Sequence, residues 1–214
     1  MKIQALEIRK VLALAPVIPV LVVEKLEHAA PLARALYDGG LKVLEITLRT
    51  PVALDVIEAM RQAVPEAVIG AGTLLTAADF KRCEGVGAQF AVTPGLTPQL
   101  AEAAAGVDYP LLPGVVTPGE IIAALQAGYE TLKFFPAQQA GGIPMLQAFA
   151  SPFAKVAFCP TGGISRETAP GFLKLPNVLC VGGSWVAPAA LVRDGDWAGI
   201  EALARDAAQL KRGA

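Results

Sequence analysis

Eight short apolar runs recur along the chain, starting about every 20 to 25 residues, and this repeat restricts the fold more than any other feature. They are "VIPVLVV" at 17–23, "KVLEITL" at 42–48, "VIGAGT" at 68–73, "QFAVTPG" at 89–95, "YPLLPG" at 109–114, "TLKFFPA" at 131–137, "KVAFCPTGG" at 155–163 and "VLCVGGS" at 178–184. Each leads into a loop carrying Gly, Pro, Ser or Thr. A clear helical stretch such as "PVALDVIEAMRQAV" follows seven of them; after 131–137 a Gly-rich loop precedes the weaker "IPMLQAFA". Continuous apolar strands alternating with amphipathic helices pair in parallel, with both faces covered. Eight such units predict an α/β fold of the (β/α)8 TIM-barrel type. A doubly wound open sheet is the alternative, but it commonly carries a GxGxxG turn after its first strand, and none follows "VIPVLVV". No linker or low-complexity stretch divides the chain, so residues 1–214 read as a single domain. Sharing 214 residues among eight units leaves about 27 each, which keeps the helices to three turns or fewer.

The N-terminus imitates a secretory leader: basic residues in "MKIQALEIRK", then the apolar "VLALAPVIPVLVV". Glu7 in the basic part, Pro16 and Pro19 in the apolar part, and the lack of an A-x-A site directly after it oppose that reading. The apolar part is also shorter than the ~20 residues a membrane span needs. The expectation is an extra short helix, a turn at Pro16, a buried strand, no membrane association and a cytoplasmic location.

Hydrophobic residues make up 54% of the chain and charged residues 17%, enough for a large core. Lys plus Arg number 18 against 19 Asp plus Glu, so the basic excess of a nucleic-acid-binding surface is missing. Cys83, Cys159 and Cys180 show no CxxC spacing and read as reduced, buried thiols. His28 is the single histidine, which speaks against a His-rich zinc site, and no metal is expected. In "EKLEHAA" it reads as a surface residue of a helix start.

Charged residues inside the apolar runs carry the functional signal. Strand side chains alternate faces, so in "VLEITLRT" Glu45, Thr47 and Arg49 share one face and Leu44, Ile46 and Leu48 the other. The apolar set suits outer helices, and the polar set then points inward. Glu45 and Arg49 are about 13 Å apart at ~3.3 Å per residue, too far for direct pairing. In "TLKFFPA", Lys133 and Phe135 share the inward face while Leu132 and Phe134 face the helices. A strand-end lysine reaching for water is the plainer reading of an isolated case; two further ionisable groups aimed at the same interior favour a working lysine. The seventh and eighth runs end in "PTGGIS" (Thr161, Gly162, Gly163, Ser165) and "VGGSW" (Gly182, Gly183, Ser184). Barrels of this type often hold phosphate at these two positions, and glycine amides approach anions readily. Ser165 is expected to cap the following helix, with Glu167 in its first turn.

A lysine, a carboxylate, an arginine and a phosphate cradle at one barrel mouth fit Schiff-base chemistry on a phosphorylated keto compound. The attacking form is the neutral amine, and Phe134, Phe135 and the Arg49 charge are expected to disfavour the ammonium. A sugar-phosphate isomerase or epimerase and a non-catalytic phosphate-binding barrel remain as alternatives, the former leaving Lys133 unexplained.

"VLEITLRT", "IGAGTLLT", "TPGLT", "LKFFPA", "FCPTGGI" and "VGGSW" together resemble the bacterial 2-keto-3-deoxy-6-phosphogluconate (KDPG) and 4-hydroxy-2-oxoglutarate (KHG) aldolases, in order from about residue 16 to 186. The resemblance implies a class I aldolase, a lyase of the Entner–Doudoroff route. Such an enzyme cleaves KDPG to pyruvate and glyceraldehyde 3-phosphate without metal or other cofactor. It implies Lys133 as the Schiff-base residue and Glu45 as the proton shuttle. Arg49 and Thr73 would hold the pyruvate carboxylate, and Pro94 and Phe135 would line the reacting centre. Gly162, Gly163 and Ser184 would contact phosphate, with Thr161 nearby. A homotrimer is implied as well. The family commonly has Glu where this chain has Gln138. Substrates derived from gluconate, galactonate and 4-hydroxy-2-oxoglutarate are not separated by these residues.

Overall fold

The computed structural model describes residues 7–213. Every apolar run contains a strand: β1 (Val17–Leu21), β2 (Val43–Thr47), β3 (Val68–Gly72), β4 (Ala91–Val92), β5 (Leu111–Leu112) with β6 (Gly114–Val115), β7 (Thr131–Phe134), β8 (Ala157–Pro160) and β9 (Val181–Gly183). All pairings between them are parallel. They form a six-stranded sheet in the order β5-β4-β3-β2-β1-β9 and a three-stranded sheet in the order β6-β7-β8. The expected continuous eight-stranded ladder is therefore interrupted. One break falls at Pro113, which splits the fifth run and has no N–H to donate. The other lies between β8 and β9, where contact reduces to two parallel bridges, Phe158 with Val178 and Thr161 with Gly182. The result is an α/β fold around a curled parallel sheet.

Helices follow each run. They are α2 (Ala29–Asp38), α3 (Ala53–Ala63), α4 (Ala77–Gly85), α5 (Pro98–Ala105), α6 (Pro118–Gln126), α7 (Gly142–Ala150), α8 (Ala169–Leu173), and finally α9 (Ala189–Asp194) with α10 (Trp197–Ala208). A short helix α1 (Ile8–Leu12) precedes β1, where the N-terminal reading placed one; residues 1–6 of that stretch lie outside the described residues. No helix among the described residues is long and apolar enough to cross a membrane. Local sequence sets several helix starts. Thr76 with Asp79 and Thr117 with Glu120 form capping boxes, and Thr97 caps α5 ahead of Pro98 at the first helical position.

Two faces of the sheet are filled differently. Leu44, Ile46, Leu132 and Phe134 are fully buried on the helix side. There the Phe134 ring meets Phe149 of α7 at 6.0 Å and Phe158 at 6.4 Å, edge to face. Cross-strand partners share a face. The register therefore collects Val20, Glu45 and Gly70, then Thr47, Gly72, Val92 and Leu112, on the opposite side. Gly114, Lys133 and Cys159 follow, then Thr161, Gly182 and Ile18. That inner face holds most of the buried polar residues: Glu45, Thr47, Thr131, Lys133 and Thr161.

Two local expectations are corrected. His28 does stand at a helix start, closing a 3-10 turn (Leu26–His28) directly ahead of α2, but it is half-buried there: it lies edge-on to Trp197 at 5.6 Å, its side chain only 14% exposed. Ser165 does not cap a helix, because α8 starts four residues later; its hydroxyl donates to Glu167 Oε2 at 2.6 Å, and its N–H donates to Thr168 Oγ1. The three cysteines are free and buried, as their apolar surroundings required.

Candidate active site

Glu45 comes from β2 and Lys133 from β7, and the inner face brings them together. Lys133 Nζ lies 3.5 Å from Glu45 Oε1, with the two side chains 7% and 4% exposed. A carboxylate and an ammonium buried to this degree hold only as a pair, since either alone is costly to desolvate. The ring of Phe135 stands 5.1 Å from the same nitrogen, a cation–π distance. Phe134 turns its ring away into the helix-side aromatic group. Apolar shielding by both phenylalanines is thus corrected: one ring reaches the amine, and it presents an aromatic face that attracts a cation.

Arg49 departs from strand parity. β2 ends at Thr47, whose hydroxyl donates to the Leu21 carbonyl at 2.8 Å; Arg49 lies two residues beyond in a turn and is exposed. Alternation holds only while the backbone stays extended, so Arg49 is at the rim rather than in the interior beside Lys133. Thr73 follows β3 directly and adopts φ 65°, the only non-glycine residue with positive φ among those described. A β-branched residue held there stores strain of ~1–3 kcal/mol, which is typical of functional positions. A cavity of about 150 Å³ adjoins Thr73 and Leu48.

Pro94 sits just past β4, beside the strand that carries Lys133's neighbour. A Cβ on Gly114, the cross-strand partner of Lys133, would collide with the Pro94 carbonyl and come within 2.7 Å of the Thr93 carbonyl. Glycine at 114 is what lets the loop after β4 close over this part of the sheet.

The two glycine loops are adjacent, tied by the Thr161–Gly182 bridge. Their glycines are needed for different reasons. Gly162 and Gly163 adopt φ 105° and 72°, which only glycine tolerates cheaply. Gly182 and Gly183 have ordinary φ but no room: Cβ atoms there would run into the Thr161 side chain and the Trp185 ring. Above them the loop after β7 is clamped down. Ala137 N–H donates to the Thr161 carbonyl at 2.8 Å and Gln138 N–H to the Gly162 carbonyl at 3.0 Å. Ser184 and Gly163 are exposed at this rim, Thr161 buried below it. Neither loop runs straight into a helix. α8 and α9 begin at Ala169 and Ala189, so backbone amides of the loops, and not a helix N-terminus, are the anion donors on offer.

Gly72, Gly114 and Trp185 were missed by the residue reading. A glycine inside an apolar strand marks close approach of a neighbour, and "IGAGT" and "LLPGV" carried that signal without saying which neighbour.

Comparison with known proteins agrees with this geometry. Residues 8–203 match the family model "KDPG and KHG aldolase". The KHG/KDPG aldolase of Escherichia coli strain K12 is 49% identical over 199 residues, 93% of each chain. The 2-dehydro-3-deoxy-phosphogluconate aldolase of Zymomonas mobilis is 49% identical over 208 residues, 97% of this chain and 98% of the relative. Among solved structures, KDPG aldolase from Legionella pneumophila, with pyruvate captured as a covalent carbinolamine, superimposes with a TM-score of 0.92 at 46% identity, covering 94% of this chain and 98% of the other. The Zymomonas mobilis ZM4 enzyme with 3-phosphoglycerate gives 0.91 at 49% identity, covering 96% of each. The chain belongs to the KDPG and KHG aldolase family.

Proposed function

We propose that this protein is a class I aldolase, a lyase cleaving KDPG to pyruvate and D-glyceraldehyde 3-phosphate, and also 4-hydroxy-2-oxoglutarate to pyruvate and glyoxylate. The observation that carries the reading is the buried Lys133–Glu45 pair at 3.5 Å. It supplies an amine nucleophile and a proton acceptor in contact, which is the arrangement imine chemistry requires.

The steps follow from that contact. Lys133 passes a proton to Glu45, and the neutral Nζ attacks the C2 ketone to give a carbinolamine. Glu45 protonates the departing hydroxyl, water leaves, and an iminium forms on Lys133. The Glu45 carboxylate then takes the proton from the C4 hydroxyl. The C3–C4 bond breaks, its electron pair flows to the iminium as an enamine, and the aldehyde departs. Glu45 returns the proton to C3, and hydrolysis of the iminium frees pyruvate and Lys133. No separate cofactor takes part in these steps; the covalent intermediate is on Lys133 itself.

Arg49 and Thr73 hold the keto-acid carboxylate from the rim, being the first polar residues beyond the ends of β2 and β3. An arginine suits a planar anion. Pro94 and Phe135 line the reacting carbons. Thr161, Gly162, Gly163, Gly182, Gly183 and Ser184 receive the phosphate, a reading supported by the bridged glycine loops and by 3-phosphoglycerate in the Zymomonas mobilis structure. The Thr161–Gly182 and Phe158–Val178 bridges, with β5 and β6 as parts of one strand, support closure of the sheet as a (β/α)8 barrel spanning a single domain, 1–214. Membership of this family supports our further reading of a homotrimeric, cytoplasmic enzyme of the Entner–Doudoroff route. Exposed Val22, Leu26 and Leu75 offer apolar surface for neighbouring copies. Light scattering would then give three times the 22.1 kDa chain mass.

Borohydride reduction in the presence of pyruvate tests the chemistry. The expected product is one reduced pyruvyl adduct on the peptide containing Lys133. An unlabelled protein, or an adduct on another lysine, removes the assignment.

A further inference from the structure

Gly72 ends β3 on the inner face, and its backbone gives no reason for glycine: it is absent from the residues with left-handed φ. The reason is space. A Cβ built there falls on Glu45 Oε1 and lies 2.8 Å from both Glu45 Cδ and Cγ. Oε1 is the same oxygen that stands 3.5 Å from Lys133 Nζ. The other glycine of "IGAGT" serves packing instead, since a Cβ at Gly70 would strike the Phe90 ring.

We propose that Gly72 is a positioning residue for the reaction: the missing side chain forms the niche that holds the Glu45 carboxylate against Lys133 and the reacting carbons. This rests on the Schiff-base reading above. The niche matters most when Glu45 accepts a proton from C3 of the pyruvate iminium. In that step the C3–H bond breaks, its electrons form the enamine double bond, and the proton goes to the carboxylate. A methyl group at 72 pushes Oε1 out of reach. The obstructed atom is the far end of a flexible side chain, so the backbone need not move.

Pyruvate is the probe. Exchange of its methyl protons in D2O reads the transfer to Glu45, and borohydride trapping reads the Lys133 amine. In Gly72→Ala, methyl exchange and kcat for cleavage fall about 100-fold, the lower end of general acid–base contributions. KM changes by less than about threefold; trapping on Lys133 slows, because Glu45 also serves carbinolamine formation and dehydration, but it still runs to completion. In the Glu45→Ala background the added Gly72→Ala costs no further activity, because the carboxylate it displaces is gone. Should Gly72→Ala fail to fold while Glu45→Ala/Gly72→Ala folds, the clash with Glu45 is shown directly and the proposal stands. Wild-type exchange rates in Gly72→Ala overturn it. An equal further loss in both backgrounds, or failure of the double variant to fold, also overturns it. Lack of trapping in the wild type would instead strike the Schiff-base reading itself.

Discussion

Lys133 and Glu45 stand 88 residues apart in the chain and form a buried ion pair at 3.5 Å. Both charges are secure only together, and the proposed mechanism consumes the contact by moving a proton across it. The pair then has a structural role and a proposed chemical one, and the two are separable by mutation.

Lys133→Met removes the amine at similar volume. Turnover and borohydride trapping should be lost entirely while the circular dichroism spectrum is kept. Glu45 is left buried without its partner, a cost of roughly 3 kcal/mol. At about 2–4 °C per kcal/mol for a chain of this size, Tm should drop by roughly 6–12 °C. Adding Glu45→Gln should recover much of that drop without restoring activity. A single variant as stable as wild type would argue that the pair is solvated.

Thr73 is held at φ 65°. Thr73→Gly relieves strain that Thr73→Val keeps, and both lose the hydroxyl proposed to bind the carboxylate. Stability of the glycine variant should stay within about 1 kcal/mol of wild type, relief offsetting glycine's greater unfolded-state freedom. KM for pyruvate-yielding substrates should rise at least about tenfold in both, the scale of one lost hydrogen bond to a charged group. Steady-state kinetics beside thermal melts separates the two effects.

Gly163→Ala forces a side chain onto φ 72° and brings its Cβ to 2.7 Å from Gln138 Cβ. The expected result is a fall of about tenfold or more in kcat/KM for KDPG, equivalent to ~1.4 kcal/mol. For 4-hydroxy-2-oxoglutarate, which carries no phosphate, the change should be under about threefold. An equal loss on both substrates would detach this loop from phosphate binding.

Glu120 gives a pH prediction. Partial burial pushes its carboxyl up, but the Thr117 and Val116 N–H groups at 2.8 and 2.7 Å, with further help from the Thr117 hydroxyl, hold it below its ordinary value of 4.5. A depressed carboxyl stabilises the fold above its unfolded value, and that contribution disappears as pH falls through the folded one. Glu120→Ala should lower Tm by roughly 2–4 °C at pH 7, a capping loss of about 1 kcal/mol. The gap should narrow below about pH 4.5. A gap independent of pH would assign the loss to packing alone.

Much of this was readable from local pattern. The eight apolar runs matched strands because parallel strands covered on both faces must be apolar throughout. Glu45 and Lys133 were placed on the inner face by counting in twos from the buried residues beside them. The same counting failed at Arg49, where the strand had already ended. It also said nothing of the ladder's break at Pro113, of His28 turning in against Trp197, or of Ser165 bonding Glu167 instead of capping a helix. Those outcomes depend on neighbours that are remote in the chain, or on where an extended segment stops.

The sequence by itself determined the order of elements, the face each polar strand residue takes and the set of chemical groups available. Side-chain alternation and helical capping act over a few residues, so they are written locally. Only the tertiary structure decided that Glu45 meets Lys133, that Phe135 and not Phe134 reaches the amine, and that a Cβ at Gly72 would strike the Glu45 carboxylate. Distances across a curled sheet follow from strand order and register, and neither has any period in the sequence to reveal it.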